Sequence, residues 1–315
     1  MEILSLTDRI FIEVKSLIPT ACEKMNNFSA EILRTRGGRL GSGMGALLEA
    51  LWGYMMNHLL QEKNVDCEIA WFPGNQYNDF ACLSKGSFWD EVSRSGELFR
   101  IEAKSMNIAA DESKAHFDVL RKDLFPNDAL LILVWSWKAI NECYFYPQVI
   151  DSFFERSIPL TELRDSLHLC RGGSFVSSSN CPDGCNPDLC PHVGEPLNAA
   201  GKRERITGPE NSRPSQKVAY AANFGGLVRM LKTDNAIART QFRTIRKGNR
   251  VADAYISFIH RNFPEEEKNQ FTTQEVKNVA MSLGIETRNK SKLELLIQIR
   301  KNPGYMQVFR DLPVD

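Results

Sequence analysis

Nowhere does this chain string together the eighteen or so apolar residues a membrane-crossing helix needs, so such helices are excluded. Its first stretch carries Glu2 and Asp8, where a secretory signal would be basic and then apolar, and a cytoplasmic chain is expected. Five glycines precede an apolar helical stretch, Gly37, Gly38, Gly41, Gly43 and Gly45. The GK[ST] ending of a nucleotide-binding P-loop is missing, and no strand leads in as a dinucleotide fingerprint requires. Free amides there, with Arg36 and Arg39 beside them, remain candidates for holding a phosphate. Net charge is lacking too: the formal total over 315 residues is zero.

That zero conceals an asymmetry. Residues 198–250 hold twelve Lys and Arg against three acids, whereas residues 1–197 hold 18 basic side chains against 27 acidic ones. A polyanion is drawn to the basic stretch, and the acidic part needs a cation before it can approach phosphate. Eight cysteines without a secretion signal point to a reduced compartment, where clustered thiols read as metal ligands.

The organising stretch runs from Cys67 to Asn107. It reads as a strand over Val65–Trp71, then strands over Asn78–Ser84 and Leu98–Ser105 joined by a loop with Lys85-Gly86 and Gly96. Residues two apart on a strand share a face, so Glu102 and Lys104 point one way and Ala103 points into the core. Asp79 lies on the neighbouring strand. Two carboxylates and an amine around one point suit a hard divalent cation and a phosphodiester.

Asp79 followed by Glu102-Ala103-Lys104 resembles the PD-(D/E)xK nuclease superfamily, with Asn78 standing where the motif has proline. The resemblance implies an α/β fold, a mixed central sheet flanked by helices. It also implies a Mg²⁺-dependent endonuclease, most specifically a type II restriction enzyme cutting double-stranded DNA. In that reading Asp79 and Glu102 bind Mg²⁺ with the Ala103 carbonyl, Lys104 positions the attacking water, and Glu49 on the preceding helix assists. A homodimer and a companion DNA methyltransferase are the partners it implies. The rivals are a structure-specific nuclease of repair, mobile elements or phage defence, and a non-catalytic DNA-binding regulator.

The remaining stretches fit around that core, taken as residues 1–165. Two helices separated at Pro19 are expected over residues 4–35. A helix follows with Leu47, Leu48, Leu51, Trp52 and Met55 inward. Further on come a helix over Asp111–Leu124, a buried strand at 130–137 and a strand over Glu142–Val149.

Residues 166–196 change character, with Cys181, Cys185, Cys190 and His192 spaced C-x3-C-x4-C-x-H in a stretch almost without apolar residues. A structural Zn²⁺ would supply the missing stabilisation, with Cys170 able to replace His192 as fourth ligand and His168 in reserve. Residues 197–264 read as a basic helical region, with helices over Gln216–Leu231, Asp234–Lys247 and Arg250–Asn262. Its candidate DNA contacts are Arg203, Arg205, Arg239, Arg243 and Arg246.

Residues 268–315 contain Thr272-x-x-Glu275 and Ser291-x-x-Glu294, two capping boxes opening two helices. Val276, Val279, Leu283, Ile285, Leu293, Leu296 and Ile297 are the expected small core. The pair resembles SAP and related helix-extension-helix modules, which implies phosphate contacts by Lys277, Arg288, Lys290 and Lys292.

Overall fold

The computed structural model describes residues 4–36, 43–72, 78–109, 115–204, 220–231, 236–263 and 271–302, and the side chains of 222 and 236–239 fall outside that description. Arg39 and Arg205 therefore lie outside the described residues, as does the side chain of Arg239. The chain divides into two compact units, Met1–Ala115 with Leu124–Ile158, and His116–Asp123 with Pro159–Asp315.

The first unit is a mixed five-stranded sheet covered by two helices. Helices α1 (Leu6–Ile32) and α2 (Gly43–Glu62) precede strands β1 (Cys67–Trp71), β2 (Phe80–Ser84), β3 (Glu97–Asn107), β4 (Ala129–Ala139) and β5 (Phe145–Arg156). The strands lie in chain order, all antiparallel neighbours except the parallel pair β3 and β4. The apolar run of β4 is explained by its place: it lies between β3 and β5 and is buried from Ala129 to Trp135. Asp128 fixes its start, accepting from Arg94 Nη2 at 2.5 Å and from the Phe125 N–H at 3.1 Å.

Helix α1 runs unbroken through Pro19, contrary to the expected interruption. Its buried stripe of Ile10, Phe11, Val14, Leu17, Ile18, Ala21 and Met25 holds it on the sheet, and Pro19 sits on the exposed side, where the carbonyl it leaves unpaired can meet water. Phe11 stacks on Phe154 with ring centroids 4.9 Å apart.

Two glycines let helix α2 approach the strands closely. A Cβ on Gly45 would collide with Ser105 Oγ, and one on Gly53 would stand 2.8 Å from the Phe80 ring. Asn57 adds a polar strap, donating from Nδ2 to Ile69 O at 2.8 Å and accepting from the Ile69 N–H at 2.7 Å. Residue 49 is thereby held on the turns between the two close approaches.

In the second unit, α3 (Ser157–Cys170) begins at the unit boundary and leads to the two-stranded pair β6 (Ser174–Phe175) and β7 (Pro196–Leu197). Short α4 (Ala222–Gly225) follows, then α5 (Ala236–Gly248), α6 (Arg250–Asn262), α7 (Thr273–Ser282) and α8 (Lys292–Lys301). Two expected helices are corrected. Residues 115–120 of the 111–124 stretch are not helical, and only Arg121–Asp123 form a 3-10 turn. Their backbone groups are taken elsewhere: buried Arg164 donates to the carbonyls of Phe117 and Val119 at 2.8 and 2.6 Å, and the Phe117 N–H donates to Gly225 O. The 216–231 stretch keeps, among its described residues, only α4 and a 3-10 turn at Arg229–Leu231. Gly225-Gly226 is a poor helix interior, and Asp118 packs into the space a side chain at Gly225 would fill.

Both capping boxes form in full at Thr272/Glu275 and Ser291/Glu294. The small core they frame is Phe271, Val276, Val279, Ala280, Leu295, Leu296 and Ile299, with Leu283 and Ile285 against it. Leu295 and Ile299 thus replace the expected Leu293 and Ile297, a rotation of α8 that still keeps i, i+4 spacing on the inner face. Gly284 and Asn289, at φ 71° and 58°, turn the connection between the helices.

Candidate active site and candidate metal centre

The β2–β3 pairing sets Phe80 opposite Ile101, so Asp79 meets the strand segment carrying Glu102 and Lys104. The Asp79 N–H continues the ladder to Ile101 O at 3.0 Å. Alternation does the rest. Phe99, Ile101 and Ala103 enter the apolar core while Glu102 and Lys104 face the other way.

Lys104 Nζ lies 2.5 Å from Glu102 Oε1 and 4.0 Å from Asp79 Oδ2. Each carboxylate also takes a backbone N–H from the opposite strand: Ala103 donates to Asp79 Oδ2 and Asn78 donates to Glu102 Oε2, both at 2.8 Å. A residue's N–H and C=O face the same strand edge, so the Ala103 carbonyl lies on Asp79's side.

Glu49 completes the group from α2. Burial and then the Asp79 charge push its carboxyl up from 4.5 to about 7, with Glu102 adding to them, against the opposing pull of Lys104 and of a Ser105 N–H that donates to it. Burial by itself would lower Lys104, but Glu102 and Asp79 outweigh it and its ammonium is held above the ordinary lysine range. Two carboxylates thus meet one ammonium, and the charge of a third, Glu49, is felt there. This donor set fits a hard divalent cation, whose ligands are carboxylate and carbonyl oxygens.

The cysteine-rich loop hangs from the β6–β7 pair. The Val176 N–H donates to Glu195 O at 2.9 Å and the Gly194 N–H to Val176 O at 2.8 Å, closing its base. His168 clamps that base, with Nε2 3.1 Å from Ser174 O and 2.9 Å from Leu197 O. It is therefore committed to backbone rather than held in reserve for a metal.

Cys181, Cys185 and Cys190 present sulfurs within 4.8 Å of one another and could hold a metal ion. Cys181 also belongs with Asp183 and His192 in a second group of the same tightness. Cys170, at the end of α3, is in neither group. Desolvation would raise Cys181, but backbone N–H groups of Asp183 and Cys185 aimed at it, with the neighbouring thiols, together bring it below its usual range. Cys185, against the Cys181 sulfur, is pushed up to about 11.

His192 places Nδ1 3.2 Å from Oε1 of buried Glu195. A carboxylate there is the support a metal-binding imidazole ordinarily has, and Nε2 lies 3.4 Å from Asp183 Oδ2 and 3.3 Å from Arg203 Nη1. Arg203 braces the same spot through Glu195 Oε2 at 2.8 Å and through Asp183.

Several cations expected to meet DNA have partners within the chain. Arg243 pairs with Glu275 at 2.7 Å, Arg246 with Asp253 at 2.5 Å, and Arg36 stands over the Tyr144 ring at 5.8 Å. Lys290 donates to Gln298 at 2.8 Å. Arg288 is exposed, while Lys277 and Lys292 are half-buried.

The sequence reading missed Gly45 and Gly53 as packing residues, Asn78 as a donor, and Glu195 behind His192. The eight-residue spacing of the two helix glycines is the signal that marks one closely packed helix face. No helix among the described residues is long and apolar enough to cross a membrane. No protein-family model matches this chain, and no curated protein matches it.

Proposed function

We propose that this protein is a Mg²⁺-dependent endonuclease of the PD-(D/E)xK type acting on double-stranded DNA. The observation that carries the reading is the convergence of Asp79 and Glu102 on Lys104, with Glu49 close enough to feel their charges. Asp79, Glu102 and the Ala103 carbonyl would hold Mg²⁺. When bound, the cation polarises a phosphoryl oxygen and makes its water a better nucleophile.

Without the cation, Glu102 and Asp79 hold the Lys104 ammonium above the ordinary lysine range, and its part is to donate from Nζ, orienting the attacking water and offsetting charge on the phosphate. Glu102 keeps that ammonium in place through Oε1, and Ala103 and Asn78 hold the two carboxylates in fixed rotamers. The water's oxygen would bond to phosphorus as the P–O bond to the leaving sugar oxygen breaks, one water proton passing to solvent and the departing oxygen taking one up from solvent.

The cysteine loop would hold a structural Zn²⁺ through Cys181, Cys185 and Cys190, with His192, which gathers with Cys181 and Asp183, as the fourth ligand. This role fits a segment whose exposed, polar composition offers little apolar surface to bury. The α7–α8 pair, with Arg288, Lys277 and Lys292, and the basic 198–250 stretch supply attraction for the phosphate backbone.

Digestion of several unrelated plasmids tests the reading. Discrete fragments in Mg²⁺ indicate a type II restriction enzyme, and a smear indicates a nuclease without site recognition. DNA left intact in both Mg²⁺ and Mn²⁺ contradicts it.

A further inference from the structure

We infer that Asn78 is a positioning residue for the carboxylate pair, and that what the site requires at residue 78 is a left-handed backbone with a free N–H. The inference rests on the nuclease reading and deepens it.

Two backbone donors lace the two strands together reciprocally. The residue before Asp79 donates to Glu102, and the residue after Glu102 donates to Asp79, each at 2.8 Å. Glu102 is thereby fixed at both oxygens, Oε2 by the Asn78 N–H and Oε1 by Lys104. Its rotamer is set before any cation arrives.

The Asn78 N–H reaches Glu102 only because the backbone turns at φ 83°. Asparagine enters the left-handed region more readily than other residues with a side chain, and glycine enters it freely. Proline, the residue the motif would place here, is locked near φ −65° and has no N–H. It would remove the bend and the donor together.

The side chain argues the same way. Asn78 is only 4% exposed, yet its Nδ2 has no hydrogen-bond partner among the described residues. Glycine would lose no hydrogen bond from Nδ2 and would keep the N–H aimed at Glu102, so the backbone conformation is the property in use.

The test compares Asn78→Gly, Asn78→Val and Asn78→Pro in the full chain, reading Mn²⁺ affinity by calorimetric titration without DNA. The Mg²⁺ needed for half-maximal cleavage is the second readout. Asn78→Gly is expected to bind Mn²⁺ within about twofold of wild type. Asn78→Pro is expected to bind at least about tenfold more weakly, the usual effect of losing a group that orients a ligand. Asn78→Val keeps the N–H but resists the left-handed bend, and falls between, with cleavage restored at high Mg²⁺. Should Asn78→Pro fail to fold, Asn78→Val against Asn78→Gly carries the comparison. Cooperative melting of each metal-free variant, read beside the titration, separates a weakened cation site from a general loss of stability.

Wild-type affinity in both Asn78→Pro and Asn78→Val overturns the inference alone. So does Asn78→Gly binding as weakly as Asn78→Pro, because the side chain would then be the active part. A wild-type chain that binds no Mn²⁺ at Asp79 and Glu102 overturns the nuclease reading and this inference with it.

Discussion

The carboxylate site and the cysteine loop are built on opposite principles. Asp79, Glu102 and Lys104 project from strands whose inner faces, Phe80, Phe99, Ile101 and Ala103, are buried in an apolar core. Burying such side chains stabilises by about 1.5–3 kcal/mol each for the larger ones. The fold there exists without the cation and bears the cost of crowding three carboxylates. Between Ser177 and Gly194 no residue is buried; the loop is closed by β6–β7, by His168 and by Arg203 with its acids. In the first region the fold makes the site, and in the second a bound metal would make the fold.

The largest effect should separate chemistry from folding in the first region. Asp79→Ala or Lys104→Ala should lower the cleavage rate by at least about 10²–10³-fold while leaving DNA retardation in gels and cooperative melting intact. Retained cutting by either variant would break the comparison at its catalytic end.

The converse is expected of the loop. Cys181→Ser or Cys185→Ser should take zinc content from about one per chain towards zero. Chelation of the wild type should strip hydrogen-exchange protection from residues 176–195 and spare β3. Loop amides that stay protected without metal would mean that the loop folds on its own.

A pH series sharpens the cost borne by the first site. The folded chain holds the Glu49 proton up to about pH 7, whereas the unfolded chain gives it up near 4.5. Metal-free wild type therefore loses stability between those values, by up to about 3 kcal/mol. Glu49→Gln should melt with wild type at pH 4 and increasingly above it to pH 7. Equal melting temperatures at pH 8 would show that the crowding is not felt.

The helix caps give the smallest shift. Thr272→Ala and Ser291→Ala should each cost about 1 kcal/mol in the α7–α8 pair, read as local exchange rates, with the carboxylate site unaffected.

What could be read from the sequence follows the range of the forces involved. The buried β4 run, the strand pair carrying Asp79 and Glu102, and both capping boxes depend on neighbours a few residues away, so spacing revealed them. Pro19, the 111–124 stretch and the 216–231 stretch depend on partners far along the chain. A proline on a solvent face, Arg164 taking two carbonyls, and Asp118 filling the space beside Gly225 leave no local trace. At the carboxylate site the residue types were legible because strand alternation fixes their face. Asn78 was not, because its contribution is a backbone angle. Among the thiols, Cys181, Cys185 and Cys190 gather as their spacing suggests, while Cys170 ends a helix and His168 is spent on Ser174 and Leu197.

Conversion of supercoiled plasmid by the purified wild-type chain, with Asp79→Ala prepared alongside and Mg²⁺ as the varied component, puts the three-residue convergence to its most direct test. Cutting that rises with Mg²⁺, stops with chelator and is missing from Asp79→Ala is the predicted result. Equal cutting by both proteins, or none by either at any Mg²⁺ or Mn²⁺ concentration, would contradict it.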